Sequence, residues 1–418
     1  LIKAGKTQEA LQAFTELAAC FKTRFKEGSG QIYILKSNER DYLHFFMDYK
    51  DKSSYKKSES AYFADAEFDT KLGQYLGLYS EGRYQYVVYK SIATIATETP
   101  VVDLSKGQEG RIYFTSINLG SFKEILAGEG QSKPVTISGT LKMPKKVVGK
   151  VPAVIILHGV GGVFAHYFEA ADMLNEMGIA AFVVDSFETR GMTSVVDVPK
   201  KLFHSYSIRI SDAYAALELV STHPKIDRSR IAVLGYSMGA RVALFVASEK
   251  IRWSFIADDL RFAASIGYYP PCSLQLKNID FTDTPVLMLL AEKDNMAPIE
   301  PCLDYAQRIK DSGADIKVIV YKGAHHGFPV LSGNKIVKVP SLADWSNCTK
   351  EELLVLLQDD GTWYSPHFKM TPDEIDVLGK DRLNCMVYGE AIMGGNEEAK
   401  AKSIKAYQNL LKKVFNIN

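Results

Sequence analysis

The chain has 418 residues, of which 46% are hydrophobic and 24% charged, with a formal net charge of +1. That length holds one large α/β domain with an appendage, or two or three small domains. The near-neutral charge gives no ground for nucleic acid or an anionic membrane surface as a partner, and no apolar run reaches the length of a membrane span.

The numbering begins at Leu1 rather than Met, so a processed or trimmed start is expected, and no signal peptide is visible. Residues 1 to about 27 read as an amphipathic helix, with Ala10, Leu11, Phe14, Leu17, Ala18 and Phe21 at helical spacing. The phrase from Ala4 to Leu11 looks like half of a tetratricopeptide repeat, but no second copy follows, so a repeat array is not expected. Residues 31–47 are rich in aromatic and β-branched types, 48–60 form a polar, Lys-rich loop, and 61–98 are Tyr-rich and unassigned. Residues 1–105 are therefore expected to be a small, mainly helical region, either a cap over a site or simple packing. Residues 106–418 form the second domain.

From about residue 109 the pattern changes. Residues 111–116 and 135–141 read as antiparallel strands. After them, apolar strands at 151–157, 179–184, 231–234, 262–267, 285–290 and 316–321 alternate with amphipathic helices. That alternation predicts the α/β class, a mainly parallel sheet with helices on both faces. Chemistry on such sheets sits at the carboxyl ends of the strands. His158-Gly159, Asp185-Ser186, Ser237, Tyr268-Tyr269, Asp294 and His326 all fall just after predicted strands.

Gly235-Tyr236-Ser237-Met238-Gly239 joins a buried strand to a helix, which predicts a nucleophile elbow with the Ser237 hydroxyl at the rim of the sheet. Asp294 is the candidate orienting acid, with Glu292 as competitor. His326 is the candidate base, favoured over His325 because Gly327 permits a sharp loop back over the sheet. The order Ser237, Asp294, His326 is that of α/β-hydrolases. Amides of Met238 and Val160 are the candidate oxyanion donors, and His158 is read as structural. Phe187, Tyr268 and Tyr269 either line the pocket or are plain core. Arg190 either binds an anionic substrate group or pairs with Asp185 or Asp212 to hold its loop.

Three phrases together resemble the dienelactone hydrolase family of α/β-hydrolases. They are Asp185-Ser186-Phe187 with Arg190-Gly191, the elbow 235–239, and Tyr321-x-Gly323-Ala324-x-His326-Gly327-Phe328. The similarity covers about residues 130–330. Dienelactone hydrolases carry Cys as nucleophile, whereas this chain has Ser237. The resemblance therefore implies a serine hydrolase of carboxylic esters, acting on a small-molecule ester with no metal and no organic cofactor. A peptidase or acyltransferase on the same triad, and a non-catalytic binding protein on a hydrolase fold, are the alternatives. The family is also similar to the catalytic domain of prolyl-oligopeptidase-type peptidases, but propeller-like repeats are not visible in the sequence.

Residues 331–382 depart from the family pattern and read as an insertion next to the site, before a final helix at 399–415 capped by Asn396. The five cysteines have no CxxC spacing of a zinc site. Cys272 with Cys302 and Cys348 with Cys385 are possible pairs, against five separate thiols that include Cys20. Pairing would imply an oxidising compartment, a periplasm or the exterior. The oligomeric state is not legible in the sequence.

Overall fold

A computed structural model of the chain describes residues 28–36, 41–49, 99–119, 121–127, 133–192, 202–281, 284–340, 342–370 and 385–417. The chain divides into two compact units, Leu1–Ala96 and Thr97–Asn418. The described part of the first unit is a pair of antiparallel strands, β1 (Gly28–Lys36) and β2 (Asp41–Tyr49), with Gly28 opposite Tyr49. A mainly helical region was expected here, yet this part is strand, which suits its β-branched and aromatic residues. Of the loop expected over 48–60, Asp48 and Tyr49 belong to β2; its remainder, the helix expected over 1–27 and the unassigned stretch 61–98 lie outside the described residues.

The second unit is built on an eight-stranded sheet. In chain order its elements are β3 (Gly110–Asn118), α1 (Phe122–Ala127), β4 (Lys133–Lys142), β5 (Val151–Leu157), α2 (Ala165–Glu176), β6 (Ala180–Asp185), α3 (Leu202–Ser221), β7 (Ile226–Tyr236), α4 (Met238–Phe245), α5 (Glu249–Trp253), β8 (Ser265–Tyr268), β9 (Leu274–Leu276), β10 (Val286–Ala291), α6 (Glu300–Asp311) and β11 (Ile316–Tyr321). The strand order is β11-β10-β8-β7-β5-β6-β4-β3. The strands from β11 to β6 run parallel, and β4 and β3 add antiparallel at one edge. This is the mixed α/β architecture that the alternating pattern predicts.

The continuous apolar run of β5 follows from its position. Ala153, Ile155 and Leu157 face a core shared with Ile210, Ala213 and Leu217 of α3. Val154 and Ile156 face the opposite core, shared with Ala171 and Leu174 of α2 and with Tyr407 and Leu411. Alternate side chains point to opposite faces, so a strand covered on both sides must be apolar at every position.

Beyond β11 the chain forms β12 (Ile336–Val339), β13 (Ala343–Asp344), α7 (Lys350–Leu353), β14 (Val355–Leu357), β15 (Trp363–Tyr364), β16 (Val387–Tyr388), β17 (Ala391–Gly394) and α8 (Glu397–Phe415). The Asn396 side chain accepts from the Ala399 amide at 2.9 Å and caps α8. The late segment is more regular than its sequence suggests. β12 pairs with β17, β13 with β16, and β14 lies between β15 and the distant β9. Except for the local β14–β15 hairpin, these pairings are long-range, and local patterning does not encode them.

Both candidate cysteine pairs are bonded, Cys272 to Cys302 and Cys348 to Cys385. The first ties the loop after β8 to α6, and the second closes the late segment on itself. Alkylation of the denatured, unreduced protein is expected to leave these four cysteines unmodified, and mass analysis before and after reduction checks this. Replacing Cys272 and Cys302 together by Ser should lower stability by about 2–4 kcal/mol, read from the urea midpoint.

Candidate active site

The elbow is held by backbone packing. A methyl group built on Gly235 would lie 2.1 Å from the Gly239 carbonyl oxygen, and one on Gly239 would lie 2.3 Å from the Leu157 carbonyl oxygen. Only glycine lets α4 approach β7 and β5 this closely. Ser237 between them has φ 52°, ψ −116°, a strained conformation for a residue with a side chain. Its amide donates to the Tyr268 carbonyl at 2.9 Å, and its carbonyl accepts from Ala240 at 3.0 Å and Arg241 at 3.1 Å. Arg241, buried on α4, donates to the Pro271 carbonyl and, at 3.0 Å, to Ser273 Oγ, which fastens the helix to the loop after β8.

Asp294 follows β10 and His326 follows β11. His326 Nε2 lies 3.0 Å from Ser237 Oγ, and His326 Nδ1 lies 2.7 Å from Asp294 Oδ2. The other oxygen of Asp294 accepts from the amides of Met296 at 3.0 Å and Ala297 at 2.8 Å. The carboxylate is thus oriented by its own loop, and its acceptor role sets the proton on Nδ1 of the imidazole. Glu292, the competing candidate acid, instead accepts from the Gly323 amide at 2.8 Å and pins the loop that carries His326. The competing base His325 packs against Gly394.

The loop after β5 abuts Ser237, since a methyl built on Gly159 would lie 3.6 Å from its Cβ. Its Val160 amide has no partner among the described residues. Met238 is the first residue of α4, so its amide lies in the first helical turn. His158 Nδ1 donates to the Gly159 carbonyl at 2.7 Å, and Nε2 accepts from the Ser186 amide at 3.2 Å. These partners require the neutral imidazole. Burial pushes its pKa well below the usual value, with the nearby Arg209 guanidinium adding to the effect.

Two residues that hold this loop escape a reading by sequence. Tyr167 Oη accepts from the Gly159 amide at 2.8 Å. Arg209, 1% exposed on α3, donates through Nη2 to the His158 carbonyl and lies over the Phe187 ring. Burial lowers its pKa to about 10, so it stays charged at neutral pH. The available signal for Arg209 is a charged residue one turn before Asp212 on a largely apolar helix.

The four residues nominated to bind substrate divide. Arg190 pairs with both oxygens of the buried Asp212, at 2.7 and 2.8 Å, and also donates to the Ser186 carbonyl at 2.7 Å. Its donors are engaged within the fold, so the structural reading replaces the anion-binding one. Phe187, 1% exposed, packs edge-on against His158 and is core. Tyr268 is equally buried, stacks on Tyr236 and donates to Ser403 Oγ at 2.9 Å, so it too is core. Tyr269 alone lies at the site, its ring centroid 4.4 Å from that of His326, with φ 39°. No group of three or more His, Cys, Asp or Glu side chains among the described residues is gathered as a metal site would require.

The neutral His158 predicts a pH dependence. Below about pH 6.5 the unfolded chain takes up a proton that the folded imidazole refuses, so stability falls by up to about 1.4 kcal/mol per pH unit. Urea unfolding followed from about pH 7 down to pH 5 should show a shallower loss in His158→Gln than in the unsubstituted protein. Equal slopes would remove His158 as a cause.

The model of the dienelactone hydrolase family matches residues 137–350, just over half of the chain. A putative carboxymethylenebutenolidase of Aquifex aeolicus is 24% identical over 211 residues, covering 48% of this chain and 85% of its own. A probable 2-oxo-3-(5-oxofuran-2-ylidene)propanoate lactonase of Bradyrhizobium is 20% identical over 216 residues, covering 48% and 83%. The solved structure of m3DLH aligns with 73% of this chain and 99% of its own at 16% identity, with a TM-score of 0.44. The chain belongs to the dienelactone hydrolase family, hydrolases of ester bonds on the α/β-hydrolase fold.

Proposed function

We propose that this chain is a serine hydrolase that cleaves a small carboxylic ester through an acyl-enzyme. The observation that carries this reading is the continuous hydrogen-bonded path from Asp294 through His326 to Ser237, with distances of 2.7 and 3.0 Å. His326 Nε2 accepts the Ser237 proton as Oγ attacks the ester carbonyl. Asp294 keeps the imidazole in the Nδ1–H tautomer and stabilises the imidazolium as it forms. The amides of Met238 and Val160 stabilise the oxyanion, an effect of roughly 3 kcal/mol for each donor. His326 then gives the proton to the leaving alcohol, and a water deprotonated by His326 releases the acid. Tyr269 forms one wall beside the imidazole.

The names of the relatives support an ester or lactone as the substrate class. The two disulfides support function in an oxidising compartment, a periplasm or the exterior.

Turnover of short-chain nitrophenyl esters tests the reading. Ser237→Ala and His326→Ala should each lower kcat by about 10⁴-fold or more, with Asp294→Asn nearly as severe. A fluorophosphonate should label Ser237 and no longer label the protein after Ser237→Ala, as read by peptide mass. Full esterase activity in Ser237→Ala, or no turnover and no labelling of the unsubstituted protein, overturns the proposal. Faster turnover of matched amides than of esters would instead make it a peptidase.

A further inference from the structure

The late segment touches the proposed triad from behind, through a residue that the catalytic reading leaves unused. Asn295, immediately after Asp294, is 9% exposed. Its Oδ1 accepts from the Ile392 amide at 2.9 Å, and its Nδ2 donates to Asp344 Oδ2 at 2.7 Å and to the Glu390 carbonyl at 3.0 Å. Its own carbonyl accepts from the Trp345 amide at 2.7 Å. One partner is a donor to Oδ1 and two are acceptors for Nδ2, so a flipped amide would set like against like. The side chain has a single satisfied orientation, and all its partners belong to the late segment.

The same segment grips the base loop. The Gly394 amide donates to the His326 carbonyl at 3.0 Å, and Met393 forms a parallel bridge with His326. Gly327 has φ 75°, and a methyl there would lie 2.5 Å from Met393 Cε. The Asn396 amide donates to the Phe328 carbonyl at 3.1 Å. Ile392, which bonds to Asn295, and Met393, which bridges to His326, are neighbours in β17. The acid loop and the base loop are therefore attached to one short strand on consecutive residues.

We infer that Asn295 is a positioning residue, and that β17 is a splint which keeps Asp294 and His326 in register with each other. The late segment would thus be part of the catalytic apparatus rather than only a wall of the pocket. This rests on the proposed triad. Parallel strands β10 and β11, with the Glu292–Tyr321 and Lys293–Ala324 backbone bonds that extend their pairing, fix where the two loops begin, but the reactive groups lie beyond them. A displacement near 1 Å between acid and base is enough to reduce turnover strongly.

The test uses the full chain and a nitrophenyl ester, with kcat expressed per site titrated by a fluorophosphonate. Asn295→Ala should lower kcat by about tenfold or more while KM stays within about twofold, because the pocket is not altered. Asn295→Asp should be similarly impaired, since it loses both donors and faces the Asp344 carboxylate. Adding Asp344→Asn restores a donor–acceptor pair with reversed polarity and should recover part of kcat. A role in stability alone would lower the unfolding midpoint yet leave kcat per titrated site unchanged, and that result overturns the inference. So does a double variant no better than Asn295→Asp. If Asn295→Ala does not fold, Asp344→Ala, which removes one link, is read in the same way. Full activity of Asn295→Ala beside a dead Ser237→Ala sinks the splint and spares the triad, whereas an active Ser237→Ala sinks the triad itself.

Discussion

The approach of one helix to two strands governs this molecule. Gly239 of α4 sits against the carbonyls of Leu157 and His158, and its own carbonyl occupies the space where a side chain at 235 would be. Those contacts leave the connecting residue one path, with Ser237 at positive φ. Such a conformation costs about 1–3 kcal/mol in isolation. Burial of Val242, Ala243 and Phe245 beneath it offsets that strain, because each is fully enclosed in the sheet-facing core. The position of the hydroxyl is thus a product of packing rather than of any property of serine.

A sheet fixes the ends of its strands but not the loops that leave them. At this rim Tyr269, Ala324 and Phe328 reach the hydrophobic core, and the remaining ties are covalent or polar. The Cys272–Cys302 bond and the Arg241 guanidinium anchor the loop after β8. Glu292 and Asp294 bond to backbone amides and shape the loops that carry His326 and Asp294. The late segment adds its own hydrogen bonds to both. Each tie is directional, so each constrains orientation as well as distance.

Beneath the loop after β5 the environment is charged and buried. Arg209 donates to the His158 carbonyl, and Arg190 pairs with the buried Asp212, which also accepts from Ser116 at 2.6 Å. Removing one partner of a buried ion pair leaves an uncompensated charge, with a cost of about 3–5 kcal/mol. Arg209 is the member that holds the loop that carries Val160. The neutral His158 belongs to the same arrangement, since a second positive charge beside Arg209 is disfavoured there.

The sequence by itself determined the strand-and-helix alternation, the elbow at 235–239 and the chain order Ser237, Asp294, His326, because each is a local pattern read within a few residues. It also placed His326 above His325 through Gly327, whose φ of 75° is a backbone demand that glycine announces. It could not decide among residues that follow strands but face different ways. Phe187, Tyr268 and Tyr269 share the same local signature, and only the last reaches the imidazole, because the turn at Tyr269 directs its ring back over the rim. Arg190 is decided only by Asp212 of α3, which folding brings beside it. Asn295 gave no signal, since its partners lie 49 to 97 positions along the chain. Short-range periodicity encodes which face of an element is buried, whereas the partner of a buried polar group is set by contacts between distant segments, and those exist only once the chain has folded.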